Sequence, residues 1–453
     1  LSKWQVDENT LTGEQNPVVK VVDFDNWQNN EFLAINQYRV DTPGGVKECI
    51  IPDVVLLVNG MPLVVIECKD VNSFTSDPMY QAIEQLRRYA DLREPEGSAL
   101  KEGEPKLFYS NQLMVATYGD DAKFGTITSS EEYYFNWKTI YPDELAYVDA
   151  TTGKHRKQET LVQGMLHPRN LLDITRSFTL FMDVGKQRIK VIARYQQYRA
   201  VNKIIKRIEN GETAMDRSGV VWHTQGSGKS LTMVFLVRKM RSDDDLKDYK
   251  ILMVNDREAL DEQLGNTAAL TGETVYRIKN SAELKTQLSG DSSTLNMVMI
   301  HKFREAADSN TPDYVNEALG DYQAVAESGA CYDISKKSGA DSVVALFESF
   351  GVVNASDKVL IMIDEAHRTQ RSGQDKASLS DNMFDAFPNA TRLAFTGTPL
   401  IAGHHNDPTW KRFGNNPDEP YIDEYKLQDA VDDGDRDINN NLERSNCRAF
   451  SKH

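Results

Sequence analysis

The sequence predicts an α/β protein in two parts, a mixed-sheet domain followed by a lobe built on a parallel sheet. From Gly219 onward, short apolar strands alternate with helical stretches, the pattern of a parallel sheet covered on both faces. In roughly the first 165 residues, short strands with tight turns stand beside one clear helical segment. The length of 453 residues allows two or three domains, each able to bury its own core. The boundaries are expected at 1–175, 176–400 and a tail over 401–453.

Composition narrows the class. Apolar residues make up 40% and charged residues 26%, ordinary values for a soluble globular chain. No apolar run is long enough to span a bilayer. The four cysteines, Cys49, Cys68, Cys331 and Cys447, are scattered without metal-ligand spacing and read as free thiols of a reducing, cytoplasmic setting. The net charge of −16 argues against nonspecific wrapping in nucleic acid but leaves room for a local basic groove. Leu1 is not a methionine, so an upstream segment is expected.

In the first domain, IPDVVLLVNGMPLVVIECK (51–69) reads as two apolar strands joined at Asn59-Gly60. Asp77 to Leu92 has helical spacing, with Met79, Ile83, Leu86 and Tyr89/Ala90 on one face. Glu94 to Lys106 reads as a loop, Leu107 to Tyr118 as strand, and Thr151 to Glu159 as a connection. In the second part a long helical pattern runs from Ile189 through Ile208. GVVWHT, ILMVND, LNMVMIH, KVLIMIDE and RLAFTGTP supply five strands. A polar insertion occupies Phe303 to Asp357. After Pro399 the pattern fades, and the acidic run Asp429 to Asp437 reads as a solvated or disordered end.

HTQGSGKS follows the first of those strands and opens a helix. Backbone N–H groups of Gly226, Ser227 and Gly228 are placed to surround phosphate oxygens. Lys229 adds a cation for the terminal phosphates, and the Ser230 hydroxyl is a ligand for Mg²⁺. His223 stands where the strict pattern has glycine. DEAH (Asp364 to His367) ends another apolar strand, where Asp364 can hold the same Mg²⁺ and Glu365 can polarise an attacking water. Arg194 and Gln197 of RYQQYRA are candidate adenine contacts; the alternative is a pair of exposed polar residues on a helix. Thr396 to Pro399 reads as a sensor of hydrolysis. Together these resemble the first, RecA-like motor lobe of superfamily 2 helicases and translocases. That resemblance assigns DNA-backbone contacts to Asn255 to Gln263 and Ile300 to Phe303.

Asp53 followed by Glu67-x-Lys69 resembles the PD…E-x-K arrangement of a large nuclease class. The likeness implies that Asp53 and Glu67 hold Mg²⁺ against a scissile phosphate while Lys69 stabilises charge or helps orient the nucleophile. The alternative is a surface hairpin that happens to carry charges. Strand alternation puts Glu67 and Lys69 on one face and Cys68 on the other, where it is expected to pack. A strict two-residue turn pairs Val58 with Met61 and sets Asp53 opposite Ile66. A shared site therefore requires a three-residue loop or a one-residue bulge. Gln85 and Tyr89 resemble the Q-x-x-x-Y helix that supports such sites, although polar pairs four apart are common on helices.

WHTQGSGKSLTM, DEAHRTQ, FPNATRLAFTGTPL, PDVVLLVNGMPLVVIECK and the stretch from Phe108 to Trp137 resemble the motor and cleavage subunit of type I restriction–modification enzymes. The likeness covers most of residues 20 to 430. It implies a PD-(D/E)xK nuclease-like domain followed by a superfamily 2 motor lobe. The implied enzyme is an ATP-hydrolysing type I site-specific deoxyribonuclease that translocates double-stranded DNA and cuts at distant, nonspecific positions. Its cofactors are ATP and Mg²⁺, and its partners are modification (methyltransferase) and specificity subunits. The rivals are a type III-like restriction subunit and a nucleotide-dependent DNA-binding module without nuclease activity. Nothing after Pro399 resembles the arginine-bearing segment of a second motor lobe. The chain is therefore expected to be part of a longer protein, unable to hydrolyse ATP at motor rates alone.

Overall fold

The computed structural model describes residues 3–5, 18–70, 76–92, 101–143, 156–255, 265–303, 350–366, 379–399, 408–414 and 418–434. The chain divides into two compact units, Leu1–Arg199 and Ala200–His453.

The first unit holds a five-stranded mixed sheet of β1 (Phe32–Asn36), β2 (Val54–Val58), β3 (Met61–Lys69), β4 (Leu113–Tyr118) and β5 (Asp121–Gly125), in that spatial order. Every neighbouring pair is antiparallel except β3 with β4. A parallel pair needs a crossover, and α1 (Pro78–Tyr89) lies within it. Asp77 caps that helix by accepting from the Tyr80 N–H, and Pro78 at its first turn loses no hydrogen bond. Ala82, Ile83, Leu86 and Tyr89 are buried with Val55 and Val65 of the ribbon and with Met114 and Ala116 of β4. Fully burying a side chain such as Ile83 or Leu86 contributes about 1.5–3 kcal/mol. The helix thereby fixes one face of β3, the face that carries Glu67 and Lys69.

The helical pattern expected from Ile189 begins later. Thr179–Val184 and Gln187–Ile192 form an antiparallel hairpin around Gly185, whose φ of 61° suits the turn, and α2 spans Tyr195–Asn210. Ile189, Val191 and Ile192 are β-branched and satisfy a period of two as well as one of 3.6. Strand pairing decided between them. The hairpin also explains why the first unit extends to Arg199 rather than ending at 175. The Lys190 carbonyl accepts from Thr126 Oγ1 at 2.9 Å, and its N–H donates to Thr128 Oγ1 at 2.8 Å. Its ammonium, buried, donates to the Asn111 carbonyl at 2.6 Å.

Burial pushes the Lys190 ammonium down to about 8. A lysine depressed in the folded state binds fewer protons than in the unfolded chain, so stability rises as pH climbs from about 8 toward the ordinary lysine value. Lys190→Met is expected to remove that rise and to stabilise the fold near pH 7 by on the order of 1 kcal/mol, the buried Asn111 carbonyl, which loses the Lys190 donor, offsetting part of the gain. Thermal unfolding of both proteins between pH 7 and 10 checks this. An equally steep rise in the variant would show that Lys190 is not its source.

The second unit is a seven-stranded sheet of β6 (Gly219–His223), β7 (Lys250–Asn255), β8 (Val275–Arg277), β9 (Leu295–Met299), β10 (Val359–Asp364), β11 (Thr391–Thr396) and β12 (Asp423–Tyr425). The order is β8-β9-β7-β10-β11-β6-β12, and all pairings are parallel. The central strands β7 and β10 are buried along their whole length, as a sheet covered on both faces requires. Helix α3 (Lys229–Arg241) is enclosed on most sides, with Met233 through Val237 all fully buried. On α4 (Ser281–Leu288) and α5 (Leu379–Ala386), Leu284, Leu288, Met383 and Ala386 pack in one cluster with Leu252, Val254, Ile361 and Ile363.

Two strands were not expected, β8 and β12. The latter lies beyond residue 400, in the stretch read as a tail, and pairs with the strand that leads into HTQGSGKS. The acidic run is in part ordered as well: α6 (Leu427–Asp432) includes Asp429 and Asp432, and the Tyr425 hydroxyl donates to Asp433 at 2.8 Å. Most of the polar insertion from Phe303 to Asp357 lies outside the described residues. Among the described residues, no helix is long and apolar enough to cross a membrane.

Candidate functional site

The first candidate site grows from the ribbon turn. Asn59 and Gly60 both have positive φ, 48° and 78°, and Val58 pairs with Met61, so the loop is the tight two-residue form. The register does not continue unbroken. Leu57 pairs with Pro62 but Leu56 with Val64, which leaves Leu63 as an extra residue. Proline is accommodated there because a bulge interrupts the ladder its missing N–H cannot serve. Beyond the bulge Val54 faces Ile66, which brings Asp53 level with Glu67. The irregularity that a shared carboxylate site demands is therefore present.

Glu67 is only 2% exposed and each of its oxygens has a partner. Oε1 accepts from Lys69 Nζ at 2.8 Å, and Oε2 lies 3.2 Å from the Tyr89 hydroxyl. Lys69 Nζ also donates to Gln85 Oε1 at 2.8 Å, while Gln85 Nε2 donates to the Tyr89 hydroxyl at 2.6 Å. The helix pair read as Q-x-x-x-Y thus closes a ring with the E-x-K pair. Asp53, half-buried, accepts from the Cys68 N–H through Oδ2 at 2.8 Å and from Gln37 Nε2 through Oδ1 at 2.9 Å. Gln37 was not anticipated. It follows β1 at a positive φ of 50°, and no periodicity in the sequence marks it.

Burial raises the Glu67 carboxyl above the ordinary carboxylate range. Lys69 opposes the shift, and the neighbouring charge of Asp53 adds to it. Burial likewise raises the Tyr89 hydroxyl, with Glu67 adding to the effect, so the tyrosine stays protonated as a donor. Two carboxylates, with the Asp53 charge raising the cost of ionising Glu67, lie beside a lysine and form an oxygen-rich donor set that fits a hard divalent cation. All four carboxylate oxygens already accept a hydrogen bond, and each keeps a further lone pair for a metal. Among the described residues, no group of three or more His, Cys, Asp or Glu side chains could hold a metal, so this pair would share its ion with water or a bound phosphate. Cys68 corrects the expectation of packing: it is exposed among the described residues, on the face of β3 opposite the one that α1 covers.

The second candidate site lies at the strand ends of the parallel sheet. Gly226 and Gly228 have φ of 85° and 82°, which only glycine adopts without strain, and Gly228 caps α3. Ser227 is buried, and its hydroxyl has no hydrogen-bond partner among the described residues. Such an orphan in a glycine-rich loop at a helix N-terminus fits a bound phosphate. Ser230, half-buried, is the second residue of α3.

Across the loop, Asp364 ends β10 and accepts from the Glu365 N–H at 3.0 Å. Glu365 has a φ of 50°, a left-handed conformation costing a non-glycine residue about 1–3 kcal/mol and often kept at functional sites. Its Oε1 meets Lys229 Nζ at 3.2 Å. Gly397 closes the other side: a Cβ there would stand 3.1 Å from Gln225 N and 3.5 Å from Lys229 Nζ. The structure thus brings Lys229, Glu365 and the 396–399 turn to one loop.

Gln197 is buried rather than exposed, and its Oε1 accepts from the Arg194 N–H at 2.9 Å. The Arg194 guanidinium lies 4.8 Å from the Phe135 ring centroid. Both residues belong to the first unit. Of the expected DNA-contacting stretches, 256–263 lies outside the described residues, and Phe303 is fully buried with Phe350 and Phe387, so it serves the core.

Residues 196–437 match the model for the SWI2/SNF2 ATPase family, and residues 2–133 match the model for the type I restriction enzyme R protein N terminus. The chain is 31% identical over 449 residues to the type I restriction enzyme HindI endonuclease subunit of Haemophilus influenzae, covering 94% of this chain and 36% of that protein. It is 27% identical over 430 residues to the putative type I restriction enzyme MjaIXP endonuclease subunit of Methanocaldococcus jannaschii, covering 91% and 34%. To the type I restriction enzyme SsaAORF53P endonuclease subunit of Staphylococcus saprophyticus it is 25% identical over 430 residues, covering 93% and 37%. The chain spans about a third of the length of these relatives.

Proposed function

Because the chain belongs to the SWI2/SNF2 ATPases and, with its N-terminal domain, to the R subunits of type I restriction enzymes, we propose that it carries the nuclease site and the first half of the ATP-driven DNA motor of such an enzyme. The reading has the subunit translocate double-stranded DNA at the expense of ATP and cut it at distant, nonspecific positions. Modification and specificity subunits supply recognition. The observation that carries it is the single bulge at Leu63, which levels Asp53 with Glu67 in a chain whose other unit bears a phosphate-binding loop.

In the motor site, the amides of Gly226, Ser227 and Gly228 and the Lys229 ammonium would hold the phosphates of ATP. Ser230 and Asp364 would hold Mg²⁺, and Glu365 would orient the attacking water. Lys229 is ion-paired with Glu365, and a phosphate held by the loop would compete with that carboxylate for the ammonium.

In the PD-(D/E)xK-like site, Asp53 and Glu67 would hold a second Mg²⁺, which supplies Lewis acidity and an acidified water when bound. Lys69 would orient that water or stabilise the charge gathering on the phosphate. Gln85 and Tyr89 hold Lys69 and Glu67 in place.

The test uses the full-length subunit assembled with its partners on double-stranded DNA bearing a recognition sequence. DNA-stimulated ATP hydrolysis together with ATP- and Mg²⁺-dependent cleavage away from that sequence is expected; cleavage confined to the recognition sequence would refute the reading. Gln85→Ala is expected to lower cleavage about tenfold or more by loosening Lys69 and Tyr89, with ATP hydrolysis unchanged. Parallel cleavage and phosphate-release assays check it, and a variant that cuts as fast as the parent would remove Gln85 from the site.

A further inference from the structure

His223 occupies the first position of the phosphate-binding loop's sequence pattern, where glycine is usual, and its imidazole is completely buried. The side chain does not crowd the loop. It turns toward β12, where Nε2 lies 2.9 Å from Asp423 Oδ2. The other oxygen of Asp423 accepts from Lys203 Nζ on α2 at 2.9 Å. The backbone repeats the link, since the Thr224 N–H, the first beyond β6, donates to the Tyr425 carbonyl at 2.9 Å. The Tyr425 ring meets the imidazole edge-on at 5.9 Å. The loop therefore has two anchors: helix α3 on its exit side and, on its entry side, a three-residue strand contributed from two hundred positions away.

We propose that Asp423 is a positioning residue for the phosphate-binding loop, acting through His223 and braced by Lys203. A buried carboxylate is costly unless its oxygens are satisfied, and here a histidine and a lysine from different elements satisfy it together. The geometry fixes the backbone at 223–224, from which the Gln225 and Gly226 amides project. Displacing β12 or α2 would strain that backbone directly. Affinity for the phosphates thus depends on β12 being docked on the sheet.

This rests on the reading of the loop as an ATP site, and Lys229→Ala serves as the control: if that variant binds ATP as the parent does, the loop reading fails rather than the positioning role. In the full-length subunit, Asp423→Asn and His223→Ala are each expected to raise KM for ATP about tenfold, with kcat changing much less. His223→Gln, whose amide can still donate to Asp423, is expected to stay within about threefold of the parent. Asp423→Asn is isosteric, so it decides the matter if His223→Ala fails to fold. An unchanged KM in Asp423→Asn, or a loss in His223→Gln equal to that in His223→Ala, would overturn the proposal.

Discussion

Glu67→Ala in the full-length, assembled subunit is expected to lower DNA cleavage by about a thousandfold or more while leaving DNA-stimulated ATP hydrolysis within about twofold. The separation follows from where the residue sits. Glu67 interacts with Lys69 and Tyr89, all inside the first unit. Removing it deletes half of the carboxylate pair and leaves the Lys69 ammonium with Gln85 alone. Breaking a buried ion pair by removing one partner costs about 3–5 kcal/mol, so a loss of cleavage has to be separated from unfolding. Glu67→Gln does so. It keeps the volume and a hydrogen-bond acceptor for Lys69 but lacks the charge a divalent ion needs, and it is expected to be nearly as inactive. Cleavage retained in the glutamine variant would leave the ribbon a structural hairpin and the chain a nucleotide-dependent DNA-binding module.

The need for an irregularity in the ribbon, if its carboxylates share a site, is legible in the sequence because two constraints conflict. The Asn59-Gly60 turn dictates one register and a common face for Asp53 and Glu67 dictates another, so a shared site called for either a three-residue loop or a one-residue bulge, and the bulge is what is found. The five long strands of the parallel sheet were equally plain, since a strand buried on both faces reads as an unbroken apolar run. What stayed hidden has several causes. Strands β8 and β12 have three residues each, too few for any period to emerge. The hairpin over 179–192 satisfied two periods at once. Cys68 follows the alternation of β3, but alternation says only which face a residue is on, not whether anything covers it.

The candidate sites divide in the same way. Residues that act through local spacing, such as Gly226, Gly228 and Lys229 on one turn, can be read from a single stretch. Gln37 beneath Asp53 and Asp423 beneath His223 cannot, because their roles exist only once distant strands are adjacent. His223 itself was visible as a departure from the expected glycine. Its reason was not.

Lys229→Ala is expected to abolish ATP hydrolysis and, with it, cleavage, each by about a thousandfold. Lys229 is 8% exposed, and its ammonium meets Glu365 Oε1 at 3.2 Å. A cation held this far out of water acts strongly on phosphate charge, because the low local dielectric magnifies each interaction. Its removal also takes the Lys229 ion pair from Glu365, which is held in a strained, left-handed conformation. Cleavage falls too because, on the proposed mechanism, the nuclease meets its DNA only when the motor delivers it. This variant therefore complements Glu67→Ala: one stops the motor and so silences the nuclease, the other stops the nuclease and leaves the motor running. Rapid-quench measurement of phosphate release and plasmid linearisation on the same preparations gives both quantities. If Lys229→Ala cut DNA at the parent rate without hydrolysing ATP, the two sites would be uncoupled, and the chain would be a metal-dependent nuclease beside an idle nucleotide-binding fold.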